Sequence, residues 1–485
     1  MTLTNRVRVL PVAMALLMAV ALASAGSVAH SEPSRQDDPR LQGQVPLEDQ
    51  LNGRALQGYQ KHVKQVGHND IANRLQNGNL GWVDDCAYVS AYFGNEPEED
   101  PTAGLAVLDV ADARNPELTK IWPGTAGARE SQVEGNQDSR MVVVMPFPRA
   151  SIFGDPAADA SLLEIYDVPG GDCANLVKQG TYDFGEEDGQ TIVTHEHRIW
   201  RDKIYATVSG NNQPGPTLTV VDASDKGDPE PLTTWDLSDE LGMQASGAHD
   251  LDLSPDGRRA YVNIVHVGPD GTREDGLVIL DTSEVADWQP GMPRPTIRRI
   301  SNFLDWTALP GGSHSAQYMK VDGREYVVVQ NEGTGCPAPG AQIIDVNDER
   351  NPVVISSFRL EVNDPENCER TRRDHDGLTL GDSGGIYGIL QQYRYGSHYL
   401  GVDDVEDAKM VAFTWYSGGL RLVDVRDPYH PQEVGSFIPP AIDTGEDRAV
   451  PDRAYSFVRF HKGNIWFTSV NGGFWSVRYT GQPIR

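Results

Sequence analysis

The chain has 485 residues, with 41 Lys and Arg against 70 Asp and Glu, and its net charge of −29 is spread along its length rather than gathered in a tail. Such a surface repels phosphate backbones and anionic membranes, so nucleic acid is excluded as a partner. No apolar run after the N-terminus is long enough to cross a membrane as a helix, so no transmembrane segment is expected.

At the N-terminus, Arg6 and Arg8 form a basic region before an apolar stretch at residues 9–23 that is too short to span a bilayer. Ala23-Ser24-Ala25 offers a small-x-small cleavage pattern, with Val28-Ala29 as a second, and no Cys stands beside either to take a lipid anchor. Residues 1–25 are therefore expected to be a signal peptide and the protein to be secreted, either extracellular or in the periplasm or cell envelope. Residues 26–56 are polar and aperiodic, with Pro33, Pro39 and Pro46, and are expected to form a flexible leader. Residues 57–485 remain for the fold.

That remainder repeats one phrase. In Gly419-Leu420-Arg421-Leu422-Val423-Asp424-Val425-Arg426-Asp427-Pro428, a short half-buried strand ends in Asp and runs into a Pro-fixed turn. It recurs at residues 105–109, 163–167, 218–222, 277–281 and 341–345, and in degenerate form, without the Asp, at 474–478. A second apolar strand precedes each copy, at 86–93, 141–147, 203–208, 259–265, 325–330, 410–416 and 464–470, and a shorter strand precedes that. Tight turns such as Ser254-Pro255-Asp256-Gly257 join the first two strands, while Asn115-Pro116, Asp228-Pro229, Asn351-Pro352 and Asp427-Pro428 lead into an outer strand. Four antiparallel strands per repeat make a β-propeller blade, and seven repeats make one all-β, seven-bladed ring. The last repeat stops at Tyr479 after three strands. Residues 62–67, which read like the outer strands, are expected to supply its fourth and so remove both free sheet edges.

The strand ending in Asp, followed by Asp-x-x-Asn-Pro or Asp-Pro-x-x-Pro, resembles the LVIVD repeat of bacterial and archaeal exported or surface proteins. The match is best in Leu105-Ala106-Val107-Leu108-Asp109, Ile343-Ile344-Asp345-Val346 and Leu422-Val423-Asp424-Val425, and weakest in blades 2 and 7. The resemblance implies a propeller at the cell exterior and no particular reaction.

Four Cys permit three pairings. In the repeat frame Cys86 opens the second strand of blade 1 and Cys173 follows the third strand of blade 2, on one face. Cys336 lies in a loop between strands two and three, and Cys368 in the crossing from blade 5 to blade 6, on the other face. Topology therefore favours Cys86–Cys173 and Cys336–Cys368.

Histidine carries the sharpest pattern. His249 precedes Tyr261 by twelve residues, as His314 precedes Tyr326 and His398 precedes Met410, and His195 precedes Tyr205 by ten across a shorter turn. Four successive blades thus place a His where the innermost strand begins beside the channel. At the matching place blade 2 offers Glu130, blade 7 Tyr455 or Ser456, and blade 1 Asn77 or Asn79. One reading is a single Fe, Cu or Zn ion held by His195, His249, His314 and His398, with Glu130 or Glu196 behind as orienting groups and His197 as a further candidate. The other is structural, each His bonding to a neighbouring blade's backbone and setting blade spacing.

The crossing at residues 361–396 carries Cys368, Arg370, Arg372, Arg373, Asp374-His375-Asp376 and Tyr393-Arg394-Tyr395 over the His-bearing face. Its length and composition suit a polar ligand such as a saccharide, a peptide or an extracellular protein, with Asp374, His375, Asp376, Tyr393 and Tyr395 as contacts. The acidic loops at 270–275 and 403–407 lack EF-hand spacing, and no Walker or dinucleotide fingerprint occurs. The expectation is a binding or interaction module acting through the face of the 361–396 crossing. The alternative is a metal-dependent enzyme, an oxidoreductase, using the four His.

Overall fold

The computed structural model describes residues 41–91, 102, 104–123, 128–148, 161–170, 172–187, 190–208, 216–237, 246–267, 273–305, 312–332, 336–373, 395–443, 445 and 447–483. Seven antiparallel sheets follow one another along the chain and close into a ring, so the fold is a seven-bladed β-propeller. The organising third strands are Gly104–Asp109, Leu162–Asp167, Leu218–Asp222, Arg273–Asp281, Ala341–Asp345, Leu420–Asp424 and Gly473–Tyr479. The ring closes as the sequence implies: Val63–Asn69 pairs antiparallel with Gly473–Tyr479, Val63 opposite Tyr479 and Asn69 opposite Phe474.

The Asp that ends the repeated strand has a turn-forming task. Asp109, Asp222, Asp281, Asp345 and Asp424 each accept a hydrogen bond from the backbone N–H two residues on, at 2.9–3.1 Å. Three residues later Asp112, Asp225, Asp348 and Asp427 do the same. Two successive side-chain turns steer the chain into the outer strand, and Pro follows where no donor is needed. Part of the acidic surplus is thus turn chemistry repeated around the ring.

Packing lies between blades. Seven apolar clusters, one per pair of neighbouring blades, run around the molecule, from Val83, Tyr88 and Val107 against Val133, Val142 and Tyr166 to Leu80, Ala87 and Val89 against Trp466 and Phe474. Both faces of each central strand are therefore apolar, and each fully buried Val, Leu or Ile contributes about 1.5–3 kcal/mol. Near the axis the innermost strands approach so closely that a Cβ at Gly135 or Gly401 would run into the neighbouring strand's carbonyl oxygen.

Both disulfides form as topology favours. Cys86–Cys173 ties blade 1 to blade 2 with Cα atoms 5.3 Å apart, and Cys336–Cys368 ties blade 5 to the crossing at 5.1 Å. Among the described residues no helix is long and apolar enough to cross a membrane.

Residues 1–40, including the expected signal peptide, lie outside the described residues. Within the stretch read as a flexible leader, residues 41–56 are instead folded. They form a short helix, Leu47–Leu51, and a 3-10 turn, Arg54–Gln57, that pack Val45 and Ala55 against Ile438, Ala441 and Ala449. The chain then adds Tyr59–Lys61 as a fifth strand on blade 6 before crossing to blade 7. A few isolated apolar anchors hold this segment, and a search for periodicity does not register them.

Candidate functional site

The innermost strands share an irregularity where they begin. In blade 3, Thr194 pairs with Val208 and His197 with Ala206, so His195 and Glu196 together oppose Thr207. In blade 4, His249 and Asp250 oppose Asn263; in blade 5, His314 and Ser315 oppose Gln330. In blade 6 the N–H of His398 bonds to the Thr414 carbonyl while the Thr414 N–H bonds to the Tyr399 carbonyl, at 3.0 and 2.8 Å. Each is a β-bulge, which breaks the alternation of side chains so that two consecutive residues both face the channel. The hydroxyl opposite holds it: Thr207 Oγ1 accepts from the Glu196 N–H at 3.0 Å and donates to the His249 carbonyl of the next blade at 3.0 Å.

The first bulge residue of four consecutive blades is His, and the rings form a continuous arc. His195 and His249 have centroids 3.7 Å apart, His249 and His314 3.9 Å, and His314 and His398 4.4 Å. Aromatic rings continue it, Tyr455 at 4.3 Å and Tyr416 at 4.6 Å from His398. The His195 side chain is 22 % exposed, whereas those of His314 and His398 are 3 % and 4 % exposed, so the arc runs inward from an accessible end.

Glu332, at the end of the second strand of blade 5, sits between two members of the arc. One carboxylate oxygen is 3.7 Å from His314 Nε2 and the other 3.7 Å from His398 Nε2, while Tyr416 donates its hydroxyl to Glu332 at 2.5 Å. His398 Nδ1 lies 2.6 Å from the Tyr455 carbonyl oxygen. A carbonyl only accepts, so Nδ1 carries the proton and Nε2 keeps its lone pair toward the arc. Burial depresses the imidazole pKa values, to about 4 for His195 and well below the ordinary range for His398, which leaves these rings neutral at pH 7.

Two sets of donor atoms, His195–Glu196–His249 and His249–His314–Glu332, each lie within 4.8 Å of one another, and His249 belongs to both. Bonds of 2.0–2.1 Å in a tetrahedral arrangement would hold such atoms about 3.3–3.5 Å apart, and the His195–Glu196 and His314–Glu332 separations are 3.6 and 3.7 Å. Neutral imidazoles with flanking carboxylates are a donor set suited to Fe, Cu or Zn.

Below the His layer the second bulge residues form a polar layer. Asn79 donates to Gln132, and Gln132 donates to Glu196 and, at 3.0 Å, to Tyr399. Tyr399 donates to Glu196, whose carboxyl burial pushes up to about 8. Asp250 pairs with Arg198 at 3.0 Å.

The structure thus brings His195, His249, His314 and His398 together. His197 does not join them: past the bulge it faces the core, its Nε2 3.2 Å from the Val143 carbonyl of blade 2. Glu130 is not the blade 2 equivalent. It pairs with Pro146, Ser131 occupies the bulge, and the Glu130 side chain lies outside the described residues. Asp374, His375, Asp376 and Tyr393 also lie outside them. Tyr395 is a correction to the ligand face: it is buried, and its hydroxyl accepts from the Val45 N–H at 2.9 Å, because residues 41–45 pack over it. Sequence reasoning missed Glu332, Tyr416 and the layer of Gln132 and Tyr399. The spacing of one blade's second strand from the next blade's His was the signal that could have found Glu332.

No known family profile matches the chain, and no curated protein matches it. Among solved structures it is similar to KlAtg21, solved in complex with the coiled coil of AgAtg16 (10% identity, TM-score 0.45, 82% of this chain and 93% of that one). It is also similar to the Cps50 (Swd1) β-propeller domain of Myceliophteria thermophila (8%, 0.45, 87% and 99%) and to a protein from Lactobacillus plantarum (13%, 0.44, 75% and 88%). At these identities none of them bears on what this chain binds or does.

Proposed function

We propose that this is an exported propeller of the LVIVD-repeat kind that holds one transition metal ion at its channel mouth and acts as a metal-dependent oxidoreductase. His195, His249 and His314 would hold the ion, with Glu332 and His398 closing the inner side. One observation carries the reading: four consecutive blades aim an imidazole into one contiguous arc through four equivalent bulges. When bound, Fe or Cu there supplies one-electron redox chemistry and Lewis acidity. The chain's own part is to keep His195 and His398 unprotonated by burial, to fix the His398 tautomer through Tyr455, and to leave the His195 end accessible.

Metal analysis of untagged protein tests this. About one equivalent of Fe, Cu or Zn per chain is expected, lost in His249→Ala and His314→Ala variants that remain folded. Protein that retains no metal after incubation with each ion and dialysis overturns it.

A second reading, an interaction module, is favoured by the anchoring of the 361–396 crossing. Cys336–Cys368 and the hydrogen bond from Asn363 Nδ2 to the Tyr395 carbonyl, at 2.6 Å, pin its described ends beside the same face. On this reading the His→Ala variants are metal-free like the parent and simply melt lower.

A further inference from the structure

The opposite end of the channel carries a separate feature. Two residues beyond the polar layer, the innermost strands face the axis again and line a cavity of about 410 Å³. Blades 2 to 5 contribute Glu134, Arg198, Asp252 and Gln317, and blade 7 contributes Arg459; the matching positions of blades 1 and 6 are Gly81 and Gly401. The volume is that of a small-molecule site.

The charges in it are unevenly committed. Arg198 is engaged: its Nη2 bonds Asp250 at 3.0 Å, its Nη1 donates to the His197 carbonyl at 3.1 Å, and its guanidinium lies 4.2 Å over the Phe457 ring. Arg459, in the blade 7 position equivalent to Arg198, donates to the Asp84 carbonyl at 2.7 Å and lies over Trp466 at 4.7 Å. Asp252 takes hydrogen bonds on one oxygen from Gln317 Nε2 at 2.8 Å and the Tyr318 N–H at 2.6 Å. Oε2 of Glu134 is buried with no hydrogen-bond partner among the described residues. Counting Asp250 beneath, three carboxyl groups meet Arg198 and Arg459 around this space, and two of their oxygens, Glu134 Oε2 and Asp250 Oδ1, have no hydrogen-bond partner among the described residues.

We propose that this cavity binds a small organic cation, an alkylammonium or guanidinium compound, whose N–H groups bond to Glu134 and Asp252 while its carbon chain lies against Trp82, Val405 and Phe460. A docked cation supplies the donor that Glu134 Oε2 lacks. Burial, opposed by Arg198, pushes the Glu134 carboxyl up to about 8, and a bound cation offsets that cost. The site is independent of any metal at the His arc, because the layer of Gln132, Glu196 and Tyr399 lies between them.

Calorimetric titration of the full chain with agmatine, with propylammonium and with propionate tests the proposal. Saturable binding of agmatine at one site per chain is expected, weakened about tenfold or more by Glu134→Gln and by Asp252→Asn, with propylammonium competing and propionate silent. Circular dichroism confirms that each variant is folded, and competition in the parent protein provides a readout that needs no variant. Absence of saturable binding by either amine, equal binding in folded variants, or saturation by propionate or by Ca²⁺ alone overturns it. Metal content is read separately and is expected to be unchanged in Glu134→Gln, so the two proposals fail independently.

Discussion

His398 serves the blade and the arc at once. Its Nδ1–H bonds to the carbonyl of Tyr455 in the next blade, as a spacing residue would, and the same bond turns Nε2 toward Glu332. The four His are therefore not equivalent, and their variants separate the structural from the ligating role. His398→Ala removes a buried hydrogen bond and is expected to destabilise the fold by about 1–3 kcal/mol in urea unfolding even without metal. His195→Ala, at the accessible end, is expected to destabilise the fold less than His398→Ala while lowering metal retention. Equal destabilisation by both, with metal content unchanged, would assign all four to blade spacing. Glu134 gives a pH test. It faces Arg198 from blade 3 and Asp250 and Asp252 from blade 4, and its carboxyl is raised from 4.5 to about 8. A folded pKa above the unfolded one means the contribution to stability is full below about 4.5 and declines as pH rises toward 8. Glu134→Gln lacks that decline, so its melting temperature relative to the parent is expected to be higher at pH 8 than at pH 4.5 in thermal scans without added amine.

At the scale of the strand, the bulge aims the site, and a threonine hydroxyl fixes the bulges of blades 3 and 6, Thr207 accepting from the Glu196 N–H and Thr414 from the Tyr399 N–H. Thr207→Val keeps the volume but strands the Glu196 N–H and removes the donor to the His249 carbonyl. A loss of about 1–3 kcal/mol is expected in urea unfolding, together with weaker metal retention, because His195 and His249 both lose their support. Unchanged stability would show that the bulge is held by something else. The equivalence of the four His was legible in the sequence for a reason the register makes plain. Judged by the residue opposite the bulge, the partners of Tyr205 and Tyr261 in blades 5 and 6 are Val328 and Ala412, not Tyr326 and Met410. The hairpins differ in length by pairs of residues, and a two-residue slip keeps every side chain on its own face. Glu130 had no such protection. A slip of one residue changes the face, and Ser131 holds the position instead. Bulges leave no mark in composition or periodicity, so the second channel layer, and with it Gln132 and Tyr399, could not be read from the chain.

For the whole molecule, stability comes from seven interfaces that exist only while the ring is shut. The repeat and its closing strand were legible because Asp-Pro turns and apolar alternation are local signals. The packing of residues 41–61 across blade 6 was not, because three or four apolar anchors in a polar segment carry no period. The two disulfides add to the closure. For enclosed stretches of 87 and 32 residues, the chain-entropy model gives about 4–5 and about 3.5–4 kcal/mol, so reduction is expected to lower the melting temperature without opening the ring. Removal of the N-terminal segment distinguishes strap from closure. A chain beginning at His62 loses the Tyr59–Lys61 strand and the cluster around Val45 and Ala55 but keeps Val63–Asn69. It is expected to melt lower and to keep the oligomeric state of the full chain. A chain beginning at Asp70 leaves Gly473–Tyr479 as an open edge, with Val63 gone from the core between blades 6 and 7. Unpaired N–H and C=O groups on a long edge recruit other strands, so this chain is expected to associate with rising concentration in analytical ultracentrifugation. If it instead sediments as a monomer as stable as the longer variant, the seventh blade does not depend on its borrowed strand, and the ring is held by the inter-blade cores alone.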